Sequence, residues 1–252
     1  MERAQSLRSS QLAAIVAVVT AALLACMQSG QAAPIANDPG PLGAPVPMHE
    51  LEAVVAAQIA DANVAGAVVA IGEANAVRER VALGQRSTGP AEPMTEDTIF
   101  DLASLTKAVA TATAVLQLAE RGRLELDAPA SRYWPAFGDA GKAGITLRQL
   151  LNHTSGLPSG LAARSELRSH ATVLHAIEIM PPIGEPGRNV IYSDLNYVAL
   201  GELVQRVSGM GLDAWCAQHI FRPLGMRDTA FRPSHRAIAR IAPTIVRNGR
   251  WL

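Results

Sequence analysis

The feature that most constrains this chain is the stretch 104–121, SLTKAVATATAVLQLAER, followed by Gly122. Ala108, Ala112, Val115, Leu116 and Ala119 recur at helical spacing, and Gly122 stands where helix C-termini favour glycine. A helix carrying so much alanine lets neighbours approach closely. It is therefore expected to be the central, buried helix of the fold, and a fold that contains it must supply layers to cover it.

The segments around it suggest what those layers are. Leu51, Val54, Val55 and Ile59 place an amphipathic helix over His49–Ile59. The β-branched runs Val64–Ile71 and Val77–Leu83, separated by a turn at Gly72–Ala76, read as two strands. Residues 84–98 read as a polar connection, and Thr98–Leu102 as a short extended piece. Residues 127–243 show no ladder of strands. Helices are expected there over Thr146–His153, Ser193–Gly209 and Leu212–Phe221, with loops at Gly156-Leu157-Pro158 and Pro181-Pro182 lining a cleft. The expected class is α/β in the α+β sense: an antiparallel sheet flanked by helices, with a mainly helical inserted region. Two strands cannot cover so apolar a helix, and residues 245–252 look like a strand just begun.

The first 33 residues look like a targeting segment. Arg3 and Arg8 precede an uncharged apolar run, Leu12–Ala25, of signal-peptide rather than membrane-span length. Two ends fit it. Gly30-Gln31-Ala32 before Ala33 is a small-x-small cleavage site, and Leu23-Leu24-Ala25-Cys26 resembles a lipobox that would lipidate Cys26. A retained anchor is a third reading. Residues 34–48, rich in proline and glycine, form a linker, leaving 49–252 as the folded part. The expected location is the periplasm, or the bacterial envelope through a lipid anchor at Cys26.

Charge excludes some functions. Lysine plus arginine equals aspartate plus glutamate at 22 each, with no basic cluster, so no nucleic-acid partner is expected. The six histidines show no metal-ligand spacing, and no glycine-rich nucleotide loop occurs, so neither a metal nor another cofactor is expected. Cys216, among the apolar residues of an expected helix, reads as a buried structural thiol.

The chemistry starts at Ser104-Leu105-Thr106-Lys107. Spacing three puts the lysine ammonium one turn from the serine hydroxyl, at a helix start where free N–H groups can steady an oxyanion. A lysine desolvated beside an apolar stripe would have a lowered pKa and could take the serine proton.

The segment Phe100–Lys107 resembles the active-site entry of the serine β-lactamase and D-Ala-D-Ala carboxypeptidase (penicillin-binding-protein-like) superfamily, in its class C-like branch with related esterases. Leu147-Arg148-Gln149-Leu150-Leu151-Asn152-His153-Thr154-Ser155-Gly156-Leu157-Pro158 resembles a second family segment. Pro186-Gly187 with Tyr192-Ser193-Asp194-Leu195-Asn196-Tyr197 and Leu200-Gly201 resembles a third. The resemblance spans about 50–245. It implies Ser104 as nucleophile, Lys107 as partner base and Tyr192 as the second proton carrier. His153 is implied as a loop tie in a supporting role. Asp194 falls where the family often has asparagine; a carboxylate cannot donate to a substrate carbonyl, which favours an esterase or peptidase-like relative.

The family's K-T-G or H-x-G element has no match after Tyr192. His235-Arg236-Ala237 lacks the glycine and the strand context. The chain is thus expected to be either a shortened copy of a longer enzyme or a genuine remnant. Two functions stay open: a monomeric hydrolase acting through a Ser104 acyl-enzyme on an ester, amide or D-Ala-D-Ala peptide, or an inactive homologue that binds a small-molecule or cell-wall ligand.

Overall fold

The computed structural model describes residues 47–61, 64–73, 76–88, 90–161, 169–243, 246–247 and 250–251. The expected targeting segment, Cys26 and nearly all of the expected linker lie outside these residues. Among those described, no helix is long and apolar enough to cross a membrane.

Helix α1 (Met48–Ala60) leads into an antiparallel sheet of β1 (Gly66–Glu73), β2 (Ala76–Thr88) and β3 (Ala91–Pro93), in the order β1-β2-β3. Register runs from Gly66 opposite Gly84 to Glu73 opposite Ala76, with an irregularity at Ile71/Gly72. The third strand corrects the sequence reading of 84–98 as a polar connection. Polar side chains there are compatible with a sheet edge because they pair across it: Arg86 Nη2 lies 2.5 Å from Glu92 Oε2. A parallel bridge between Ile99 and Ile241 ties the approach to the central helix to the far end of the helical region.

The central helix opens as a π-helical segment, Lys107–Ala112, and continues as α2 (Thr113–Glu120). Gly122 follows at φ +68, the left-handed position expected of a glycine that ends a helix. The buried face consists of Ala110, Thr111, Ala114, Val115 and Leu118, while Leu116 is half exposed and Ala108 exposed. This shifts the expected stripe. The π segment closes its bonds one residue further along than an α-helix, so a 3.6-residue period extended from Ser104 falls out of phase.

The helical region contributes α3 (Leu147–Leu151), α4 (His170–Ile179), α5 (Asp194–Ser208), α6 (Leu212–Cys216) with its π continuation Ala217–Phe221, and the single turn α7 (His235–Ile238). Local chemistry explains the boundaries. Thr146 accepts from the Gln149 amide while the Gln149 side chain accepts from the Thr146 amide, a capping box for α3. Ser193 caps α5 and Gly209, at φ +75, ends it. The sequence reading had no helix at α4, although Ser169 and Thr172 cap it.

The main core lies in this helical region, where α2, α5 and α6 surround Val115, Leu118, Leu200, Leu203, Trp215 and Phe221. Cys216 is fully buried within it, and burial pushes its thiol up to about 11, away from nucleophilic chemistry. Residues 246–247 and 250–251 pair as a short antiparallel ladder.

The loops at 156–158 and 181–182 do not line the cavity beside Ser104. They pack on each other: Ile183 N–H donates to Gly156 O at 2.8 Å, and Gly156 sits at φ +77 with room for no Cβ, which would lie 2.1 Å from Gly184 O. Gly156→Ala is therefore expected to lower stability by about 1–3 kcal/mol through backbone strain and clash. Chemical denaturation checks this, and an unchanged midpoint would contradict the contact.

Candidate active site

Ser104 is held by an unusual approach. Ala103 takes φ +43, a left-handed conformation that a residue with a Cβ adopts at a cost, and its N–H donates to Asp101 Oδ1 at 2.8 Å. The amides of Leu105, Thr106 and Lys107 then close on carbonyls three residues back. The expectation of several free N–H groups beside Ser104 is thus corrected. A tight turn consumes them, and Ser104's own amide stays outside that set.

Lys107 Nζ donates to Ser104 Oγ at 3.0 Å, as the three-residue spacing requires. The same ammonium reaches Asp194 Oδ1 at 2.7 Å and lies 4.8 Å from the centre of the Tyr192 ring. Asp194 belongs to the first turn of α5, where a carboxylate also suits the helix dipole. Two segments distant in sequence, 104–107 and 192–194, therefore meet at one cation.

The electrostatics reverse one expectation. Burial does press the Lys107 pKa down, and is the largest single effect, but hydrogen bonds and charge from Asp194 and Tyr192 outweigh it and hold the ammonium above its ordinary 10.5. Lys107 is a cation here, not a ready base. Burial likewise pushes the Tyr192 phenol up, yet hydrogen bonds from Lys107 and Ser104 outweigh it and bring the phenol below its ordinary 10.0. Of the two groups touching Ser104, the phenol is the one whose proton is made easier to remove.

His153 lies behind Tyr192, not in contact with Ser104. Its Nδ1 accepts from the Ser193 amide at 3.1 Å and faces the Asn196 amide nitrogen at 3.2 Å. Asn196 Oδ1 in turn accepts from buried Ser155 Oγ at 2.6 Å. Two donors aimed at Nδ1 assign the imidazole proton to Nε2. Burial, assisted by the Lys107 charge, lowers the His153 pKa, which favours this neutral form. Its ring packs on Tyr192 and Tyr197, with centroids 4.5 and 5.2 Å apart.

Ser155, Asn196 and Tyr197 were absent from the site as read from sequence. Tyr197 donates to Leu151 O at 2.9 Å and closes the loop from the other side. Asn196 stands three residues after the Ser193 cap and Tyr197 four, a helical spacing that could have signalled that both return to the same loop.

A cavity of about 590 Å³ opens beside Ser104 and Lys107, bounded by Asp194, Tyr197, Glu202 and Phe231. His235 starts the short helix α7 rather than an edge strand, so residues 235–237 do not form a K-T-G or H-x-G strand element.

The chain is similar in sequence and fold to several known proteins. A putative D-alanyl-D-alanine carboxypeptidase from Salmonella schwarzengrund (strain CVM19633) is 33% identical over 152 residues, which cover 55% of this chain and 35% of the relative. A penicillin-binding protein homologue from Caulobacter crescentus superposes with a TM-score of 0.70 at 26% identity, covering 79% of this chain and 54% of that one. EstCE1, a hydrolase with promiscuous acyltransferase activity, gives a TM-score of 0.69 at 25% identity, covering 78% and 55%. The chain thus spans about a third of the length of the curated relatives it matches and about half of these solved ones. The beta-lactamase family model matches residues 51–252, most of the chain, and on that match the protein belongs to the beta-lactamase family.

Proposed function

We propose that this chain carries the nucleophile half of an exported serine hydrolase that forms an acyl-enzyme on Ser104. The supporting observation is the convergence on Ser104 of Lys107 Nζ at 3.0 Å and the hydrogen-bonded phenol of Tyr192. With Tyr192 as the phenolate, its charge stabilised by the Lys107 ammonium, Ser104 Oγ attacks a carbonyl carbon while its proton passes to the Tyr192 oxygen. Collapse breaks the bond to the leaving alcohol or amine, which takes the proton from Tyr192, and the acyl group remains as a Ser104 ester. Water then repeats the sequence to release the acid.

The substrate class is an ester, an amide or a D-Ala-D-Ala peptide. The carboxypeptidase name of the Salmonella relatives and the acyltransferase activity of EstCE1 support that range. Asp194, an acceptor already engaged by Lys107, supports an ester or peptide over a substrate whose carbonyl needs an amide donor at that position. Export is supported by Arg3, Arg8 and the Leu12–Ala25 run, with release after Ala32 or lipidation at Cys26 as its two ends. No cofactor enters the mechanism.

Treatment of the purified chain with a fluorophosphonate, read by intact mass, tests the reading. One adduct per chain, absent from Ser104→Ala, is expected. Absence of labelling together with retained binding of cell-wall fragments would favour the inactive ligand-binding homologue instead.

The rate of labelling should depend on pH with a defined sign. It rises as Tyr192 loses its proton, at a pH below 10.0, and falls as Lys107 loses its own above 10.5. A rate that declined steadily from neutral pH upward would contradict the assignment of the phenol as base.

A further inference from the structure

Tyr192 is 41% exposed, so packing alone does not fix its ring. Beyond the bonds of its phenol to Lys107 and Ser104, its backbone on both sides is held by one residue. His153 O accepts from the Ile191 amide at 2.8 Å, and His153 Nδ1 accepts from the Ser193 amide at 3.1 Å. The backbone on both sides of Tyr192 is thus bonded to the same histidine, whose ring also faces the Tyr192 ring at 4.5 Å. His153 achieves this with φ +63, a conformation that favours glycine or asparagine over histidine.

We infer that His153 is the positioning residue for Tyr192: its carbonyl, Nδ1 and ring face hold the phenol at Ser104 and Lys107. This rests on the proposed role of Tyr192 as proton carrier. His153 contacts none of the reacting atoms and exchanges no proton in the reaction; it acts through the tyrosine. The hold is itself braced. Asn196 and Ser155 orient the imidazole, and the Thr154 carbonyl accepts from Gly187 at 2.7 Å, tying the loop to the segment that leads into Tyr192. Groups facing His153 that carry or can carry charge are Lys107, Asp194, Tyr192 and Tyr197.

Two variants tolerate the left-handed backbone and differ in the acceptor. His153→Gly removes both Nδ1 and the ring. His153→Asn places Oδ1 about where Nδ1 stands and can accept from the Ser193 amide. On the purified full chain, the fluorophosphonate labelling rate is expected to fall about 10–100-fold in His153→Gly, as for a displaced catalytic group, and to recover most of that loss in His153→Asn. In a Tyr192→Phe background, His153→Gly should have no further effect.

A second measurement needs no turnover. With ¹³C-ζ tyrosine, the Tyr192 signal is the one of three lost in Tyr192→Phe. Its titration should move upward in His153→Gly as the phenol leaves Lys107, and return in His153→Asn. Equal slowing with and without Tyr192, or a titration unmoved in His153→Gly, overturns the inference. Tyr192→Phe labelling at the parent rate would instead remove Tyr192 from the proposed reaction, and the titration would still decide whether His153 sets the phenol.

Discussion

Lys107→Met is expected to slow labelling of Ser104 by roughly 10²–10⁴-fold, the usual worth of a group that serves proton transfer. The reason is not that a base is lost. Lys107 is an ammonium bonded to Ser104 Oγ at 3.0 Å and to Asp194 at 2.7 Å, and it holds the Tyr192 phenol below its ordinary range. Methionine fills a similar volume without the charge, so the phenol would return upward and the serine would lose its oriented donor. Asp194 would lose its cation as well, leaving an unpaired carboxylate in the cavity beside Ser104. Second-order labelling rates over a pH series give the measurement. The rising limb should move to higher pH in the variant, in addition to the drop in rate. A drop with no movement of that limb would mean that Lys107 only positions Ser104.

Lys142→Met should produce the largest loss of stability. Lys142 is fully buried, and its Nζ donates to three carbonyls: Asp139 at 2.7 Å, Glu178 at 2.7 Å and Met180 at 2.8 Å. Glu178 and Met180 lie at the C-terminal end of α4, where unpaired carbonyls and the negative end of the dipole favour a cation. The Glu178 side chain separately accepts from the Trp134 indole N–H at 2.9 Å, so the helix end that the ammonium joins to a turn is also tied to a core aromatic. Removing it leaves buried acceptors unpaired, at a cost of roughly 3–5 kcal/mol. For a chain of this size that corresponds to a fall of about 10 °C in the unfolding midpoint. Calorimetry would measure it. An unchanged midpoint would show that water replaces the ammonium at those carbonyls, and the lysine would then have no structural role.

The two residues show different kinds of legibility. Lys107 could be found because its partner is three positions away, and a helix brings such neighbours together whatever else the chain does. Lys142, between Gly141 and Gly144, carries no local sign of its burial, because two of its three acceptors lie 36 and 38 residues away. His153 is intermediate. It stands in a recognisable segment, but its bond to Ser193 spans 40 residues. Asp194 was visible as a carboxylate; that it would raise the lysine pKa was not, because only folding brings α5 against the start of the central helix.

By itself the sequence determined what depends on near neighbours. The capped helices α3 and α5, the Gly122 and Gly209 stops, the β1–β2 pairing and the serine–lysine step all follow from spacings of a few residues, where chain geometry leaves few choices. The tertiary structure alone decided what depends on closure of long loops. That includes the loops locked at Gly156 against Gly184 and the Asp194 carboxylate beside the cation at Ser104. Bonding energies at a few ångströms are set by which groups arrive there, and no local propensity records an arrival from 80 or more residues away.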